Sequence, residues 1–221
     1  MSLTKAESRT LIQQLIDDPD AARWTADNLD ILASVTLDKF WAELLIEAPY
    51  LRSTLQTLTS LNAPGYINIA PGGDLSERFF RVQKITRNGT EYSPGLQKDF
   101  VIEDEAFLAS QRSQYFRLGS QLWLSPLDTT TDVEIHYSSH PAMYDGLGES
   151  ATVVWPDGHE EAWIYAVAAR ALGKGAAEES AMFKTISDDA LRLCRASVKK
   201  LYPGPMPMIT TDSPVSWGSQ T

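Results

Sequence analysis

The run His159-Glu160-Glu161-Ala162-Trp163 begins like the metal-binding helix of a zinc protease. That chemistry needs two imidazoles four residues apart on one helical face, with a glutamate to activate water. Trp163 stands where the second imidazole belongs, so a lone helix-entry histidine remains. His136 and His140 are also four apart, but on a strand and its exit rather than one helical face. Gly146-Leu147-Gly148-Glu149-Ser150 lacks the order of a serine nucleophile elbow. Gly173-Lys174-Gly175 is not a phosphate-binding loop: Ala168 replaces the upstream glycine, Gly175 replaces the metal-binding hydroxyl, and a helix C-cap fits better. Glu160-Glu161 and Asp188-Asp189 are adjacent on helices, so their carboxylates point apart. Glu103-Asp104-Glu105 is first a helix-start charge cluster. Cys194 lies on an apolar stripe and reads as a small core residue rather than a nucleophile. Trp123 could stack on a sugar if exposed, but a Trp is more often packed. No catalytic constellation forms, and no cofactor or metal is expected.

The elements that carry these residues follow from period and capping. Thr4-Lys5-Ala6-Glu7 fits a capping box, followed by Leu11, Ile12, Leu15 and Ile16 on one face. Asp17-Asp18-Pro19-Asp20 ends this helix. Thr25 caps a second, whose stripe of Leu29, Leu32, Phe40, Trp41, Leu44 and Leu45 reaches Pro49. Residues 50–61 have helical leucine spacing but strand-like Thr and Ser content, and a strand is preferred. An irregular connection surrounds Tyr66-Ile67-Asn68-Ile69. Phe79 to Ile85 is a strand entering the hairpin signal Arg87-Asn88-Gly89. Residues 103–110 read as a short helix. Residues 115–141 read as three strands in a meander, with Leu122 and Leu124 on one face and Trp123 on the other. Val133 and Ile135 alternate with Glu134 and His136. A loop is expected over 138–148. Asp157 can cap a helix through Ala162, Ile164, Tyr165, Ala168 and Ala169. A last helix, about 176–201, places Met182, Ile186, Leu191, Cys194 and Val198 inside. These last two helices should form an antiparallel hairpin.

The expected fold class is α+β. An α-helical bundle, made of an N-terminal helix pair and a C-terminal helical hairpin, carries an inserted antiparallel β-sheet or sandwich domain and an extended C-terminal tail. The expected divisions are 1–49 for the N-terminal helices, 50–151 for the β-rich domain, 152–201 for the hairpin and 202–221 for the tail. The tail has four prolines, one charge and no helical period. Alone it would be extended or disordered, and it is ordered only where a partner or neighbouring subunit holds it.

With 221 residues, 43% of them hydrophobic, the chain can bury a real core. No apolar run approaches the ~18–20 residues of a membrane helix, and no secretory signal is evident at the polar N-terminus. One cysteine rules out an internal disulfide and suits a reducing cytoplasm. The formal charge is −10, with −4 over residues 1–62, −5 over 63–150 and −1 over 151–221. No segment is basic, so a duplex-gripping role is disfavoured. The acidity either keeps the protein soluble or suits a surface that DNA must slide past.

Several anchors then fall in order. They are Trp24-Thr25-Ala26-Asp27-Asn28-Leu29, Phe79 through Ile85 into Arg87-Asn88-Gly89, Tyr115 through Pro126, and Glu160 through Leu172. In this order, over about residues 4–201, the chain resembles the head–tail adaptor (connector) proteins of tailed bacteriophages. It is most similar to the tail tubular protein A-type adaptors of short-tailed phages. The resemblance implies a structural virion protein rather than an enzyme, made in the host cytoplasm and placed in the neck. It implies a ring, commonly a dodecamer, docked on the portal protein and joined to a tail nozzle or tail protein. DNA only passes through the lumen. It also implies that a C-terminal extension embraces the portal, which points to Pro203, Pro205, Met206, Met208, Ile209, Val215 and Trp217. Tail or subunit contacts are expected from the β-segment and its loops, at Trp123, Leu127, Asp128, Tyr144 and Leu147. The other class of reading is a virion-associated carbohydrate-binding or hydrolytic module built on Trp123.

Overall fold

A computed structural model describes residues 3–18, 20, 22–59, 61, 65–95, 113–125 and 132–202, the side chain of Lys174 apart. The expected helix at 103–110, the loop at 127–131 and the tail at 203–221 lie outside the described residues. The described residues form four α-helices and two sheets, an α+β architecture.

Helix α1 spans Lys5–Leu15. Its capping box is complete: the Thr4 N–H donates to Glu7 at 2.8 Å, and the Glu7 N–H donates to the Thr4 hydroxyl at 3.3 Å. Ile12 and Ile16 turn inward, whereas Leu11, expected on the same face, is exposed. The following loop is organised by Asp18, whose carboxylate accepts from the N–H groups of Ala22, Arg23 and Trp24 at 2.8–3.1 Å. Burial opposes that charge, but the three donors outweigh it and hold the Asp18 carboxyl below its ordinary value. Helix α2 spans Ala26–Glu47 with Thr25 as its cap.

A 3-10 turn at Pro49–Arg52 leads into strand β1 (Ser53–Leu58). Strands β2 (Tyr66–Asn68), β3 (Arg78–Arg87), β4 (Thr90–Glu91) and β5 (Ser93–Pro94) follow. Strands β6 (Gln114–Leu118), β7 (Gln121–Ser125) and β8 (Val133–His140) complete the set. One sheet has the order β1-β8-β3-β4 and the other β2-β7-β6-β5. All pairs are antiparallel except β5 with β6. Asn88 and Gly89 have φ of 49° and 75°, the two left-handed residues a two-residue hairpin needs between β3 and β4.

The expected meander is corrected by this topology. β6 and β7 form a hairpin, but β8 leaves it and runs between β1 and β3 in the other sheet. The reason is burial. Leu122 and Leu124 on β7 and Val133, Ile135 and Tyr137 on β8 each make an apolar strand face. Two facing sheets bury both faces against each other, and one cluster with Ile67 and Ile85 does so. β8 also continues to His140, into what reads from sequence as a loop.

Helix α3 (Glu161–Leu172) and helix α4 (Ala177–Leu201) pack as the expected hairpin across a 3-10 turn at Gly173–Ala176. Asp157 does not cap α3. The chain turns at Gly158, and Glu160 precedes the helix without a side-chain cap bond. On α4 the inward positions are Phe183, Ser187, Leu191, Cys194 and Val198. This 3.6-residue register puts Met182 one position off the buried face, and it is exposed. All four helices share a core around Trp41, Leu44, Trp163 and Val167. The segment after β8 returns over α1, where Lys5 N–H donates to Ala151 at 2.9 Å and Val153 N–H donates to Leu3 at 2.8 Å.

Candidate functional site

The residues that suggest chemistry are dispersed. Cys194 is fully buried, and burial, with Glu160 adding to it, pushes its thiol up to about 12. Among the described residues no three His, Cys, Asp or Glu side chains gather as a metal site. His140 lies edge-on to Phe80 at 5.0 Å and its Nδ1 is 3.9 Å from Asp38. Burial lowers its pKa, favouring the neutral ring.

Two of the expected contact residues are committed inside the fold. Trp123 is 7% exposed, stacked on Phe116 at 6.2 Å and tilted against Tyr66 at 5.2 Å. Its indole N–H donates to Gln121 at 3.2 Å. Tyr144 is 2% exposed, packs on Trp163 at 5.8 Å and donates to the Lys5 carbonyl at 2.9 Å. Burial is the main cause that pushes its phenol up to about 12. Both side chains therefore pack rather than face outward. Leu147 is half-buried against the helical core. Leu127 and Asp128 lie outside the described residues, as do Pro203, Pro205, Met206, Met208, Ile209, Val215 and Trp217.

The junction between helices and sandwich is built from residues the sequence did not single out. Arg78 on β3 holds Asp38 on α2 through two bonds of 2.8 Å each and donates to the Pro141 carbonyl at 3.1 Å. Arg78 holds the Asp38 carboxyl below its ordinary value. Ser138 and Gln83 both donate to the Pro49 carbonyl, at 2.6 and 2.8 Å. Glu77 accepts from Ser139 and pairs with Arg52, so its carboxyl is also lowered, chiefly by Ser139. A two-pronged guanidinium–carboxylate pair fixes orientation as well as distance. It sets the sandwich on the helical layer.

Several apolar side chains of the helices stay exposed. Ile31, Val35 and Ile46 on α2 are each more than half exposed. At 100° per residue they share, with half-buried Ala42, a wedge of about 60°. α2 is thus apolar on two sides, one buried and one bare. Met182, Leu193 and Leu201 on α4 are also more than half exposed. The contiguous wedge on α2 is the one of these with the shape of a contact surface.

Residues 4–207 match the family described as SU10 adaptor protein. The chain belongs to this adaptor family. No curated protein matches it. The adaptor is thus a structural head–tail adaptor of a bacteriophage, working with portal and tail components in the virion neck. Within the described residues no helix of the adaptor is long and apolar enough to cross a membrane.

Proposed function

We propose that the adaptor assembles as a ring, of twelve copies as in the short-tailed phage type, that docks on the portal and leaves a channel for DNA. The observation that carries this reading is the bare apolar stripe on α2, with further exposed apolar side chains on α4. A ring with rotational symmetry needs two different complementary surfaces on each subunit, one for each neighbour. The α2 stripe can supply one of them. The net charge of −10 supports a conduit that does not hold DNA. The burial of Trp123 weakens the carbohydrate-binding alternative, which needs that ring exposed.

In this reading Pro203, Pro205, Met206, Met208, Ile209, Val215 and Trp217 supply the anchors of a tail that grips the portal. The loops around Leu127, Asp128 and Leu147 reach the tail protein or a neighbouring subunit. Deleting residues 203–221 is expected to weaken portal docking, measured by biolayer interferometry on immobilised portal, with the thermal melt of the helices unchanged. Equal affinity of the truncated and full chains would exclude the tail from docking.

A further inference from the structure

A groove runs between α2, α3 and α4, formed by two contiguous hollows of about 580 and 260 Å³ that share Lys39, Phe40 and Asp188. Six basic side chains line it: Lys39, Arg170, Lys184, Arg192, Arg195 and Lys199. Only three acidic ones do, namely Glu43, Glu47 and Asp188. The excess is positive, on a chain whose formal charge is −10. Glu43 and Glu47 are already engaged by Arg195. Arg170 donates to Thr36, and Arg192 pairs with Asp189. Among the described residues no carboxylate forms an ion pair with Lys39, Lys184 or Lys199. Phe40 and Leu191 lie beneath it, both buried in the helical core.

We propose that this groove docks an acidic segment of a partner protein. Its carboxylates would meet Lys39, Lys184 and Lys199, which line the groove and are exposed. This rests on the adaptor reading only in expecting the partner within the virion. A protein segment fits better than a nucleic acid. A duplex carries a negative charge about every 1.7 Å along its axis and would run over Glu43, Glu47 and Asp188. A peptide can place its charges at the lysines alone.

The test is fluorescence anisotropy with the full chain and a labelled peptide of about fourteen residues alternating Glu and Leu in helical spacing. The triple variant Lys39→Glu, Lys184→Glu, Lys199→Glu changes exposed groups only and is expected to keep its circular dichroism melt. Its affinity should fall about tenfold at low salt, the scale of three surface ion pairs lost. Glutamine at the same positions should give a smaller loss. Rising salt should weaken the parent chain's binding, because exposed charges are screened over about 10 Å at 0.1 M. Unchanged affinity in the triple variant would overturn the proposal, as would equal binding of a Lys-Leu peptide or no binding by the parent chain. Tighter binding of duplex DNA of equal charge would overturn the assignment to a protein partner. These results are read without a portal, so they stand apart from the docking assay on the truncated chain.

Discussion

Asp30→Ala is expected to destabilise the adaptor by about 3–5 kcal/mol, the cost of breaking a buried ion pair by removing one partner. Asp30 is the anchor of the N-terminal helix. Its carboxylate sits 2.8 Å from the Lys5 ammonium, and both side chains are nearly enclosed. Arg9 grips the same carboxylate through two bonds of 2.9 and 2.7 Å and reaches on to Glu149. Lys5 keeps the carbonyls of Asp145 and Leu147 and the face of the Tyr144 ring when Asp30 is gone. Carbonyl dipoles solvate an ammonium but do not neutralise it. A buried cation is left without its counter-charge, and α1 loses its ionic link to α2. Urea denaturation followed by circular dichroism measures the effect. The double variant Lys5→Met, Asp30→Leu should recover most of the loss, because it removes both charges and fills the space. A loss below about 1 kcal/mol for Asp30→Ala would contradict this account of the cluster.

Trp163→Ala should cost a similar amount, about 3–5 kcal/mol, by a different route. Trp163 is fully enclosed in the helical core and packs against Tyr144. Truncation opens a cavity where α1, α2, α3 and α4 converge, and a helix hairpin cannot collapse far enough to fill it. Among the described residues the indole N–H has no hydrogen-bond partner. Trp163→Phe therefore removes an unpaired buried donor along with volume, and the two effects partly offset. It should cost far less than the alanine change. Thermal melts of the two variants decide this. Equal losses would contradict this account, because Phe keeps most of the volume that Ala removes.

The features legible in the sequence were those fixed by near neighbours. Thr4 with Glu7 and Thr25 at a helix start act through residues three apart, and both caps form. Asn88-Gly89 demands left-handed backbone, and the turn follows. The α+β class and the helix hairpin came from hydrophobic period. What a period of two cannot say is which strand lies beside which. β8 was therefore assigned to the wrong sheet, although its buried and exposed faces were read correctly. The register error at Met182 is a single residue on a helix whose stripe is broad. Asp157 has a capping side chain, but the turn at Gly158 moves the helix start past it.

The functional surfaces were harder to read for a related reason. Asp38 and Arg78 are forty residues apart and unremarkable in either helix or strand. The basic groove is assembled from three helices inside an acidic chain, so its charge is invisible to segment totals. Alternation sets Trp123 opposite Leu122 and Leu124 but does not say what that second face packs against. The opposite face proved to carry Phe116 and Tyr66, and a small aromatic cluster closes over it. A phage adaptor emerged instead from the order of several unspecific stretches, and residues 4–207 match an adaptor family.

Electron microscopy of the adaptor mixed with purified portal tests the central claim most directly. The account predicts a ring with central symmetry seated on the portal and an open lumen along its axis. A protein that stays monomeric, ignores the portal and binds glycans instead would contradict it.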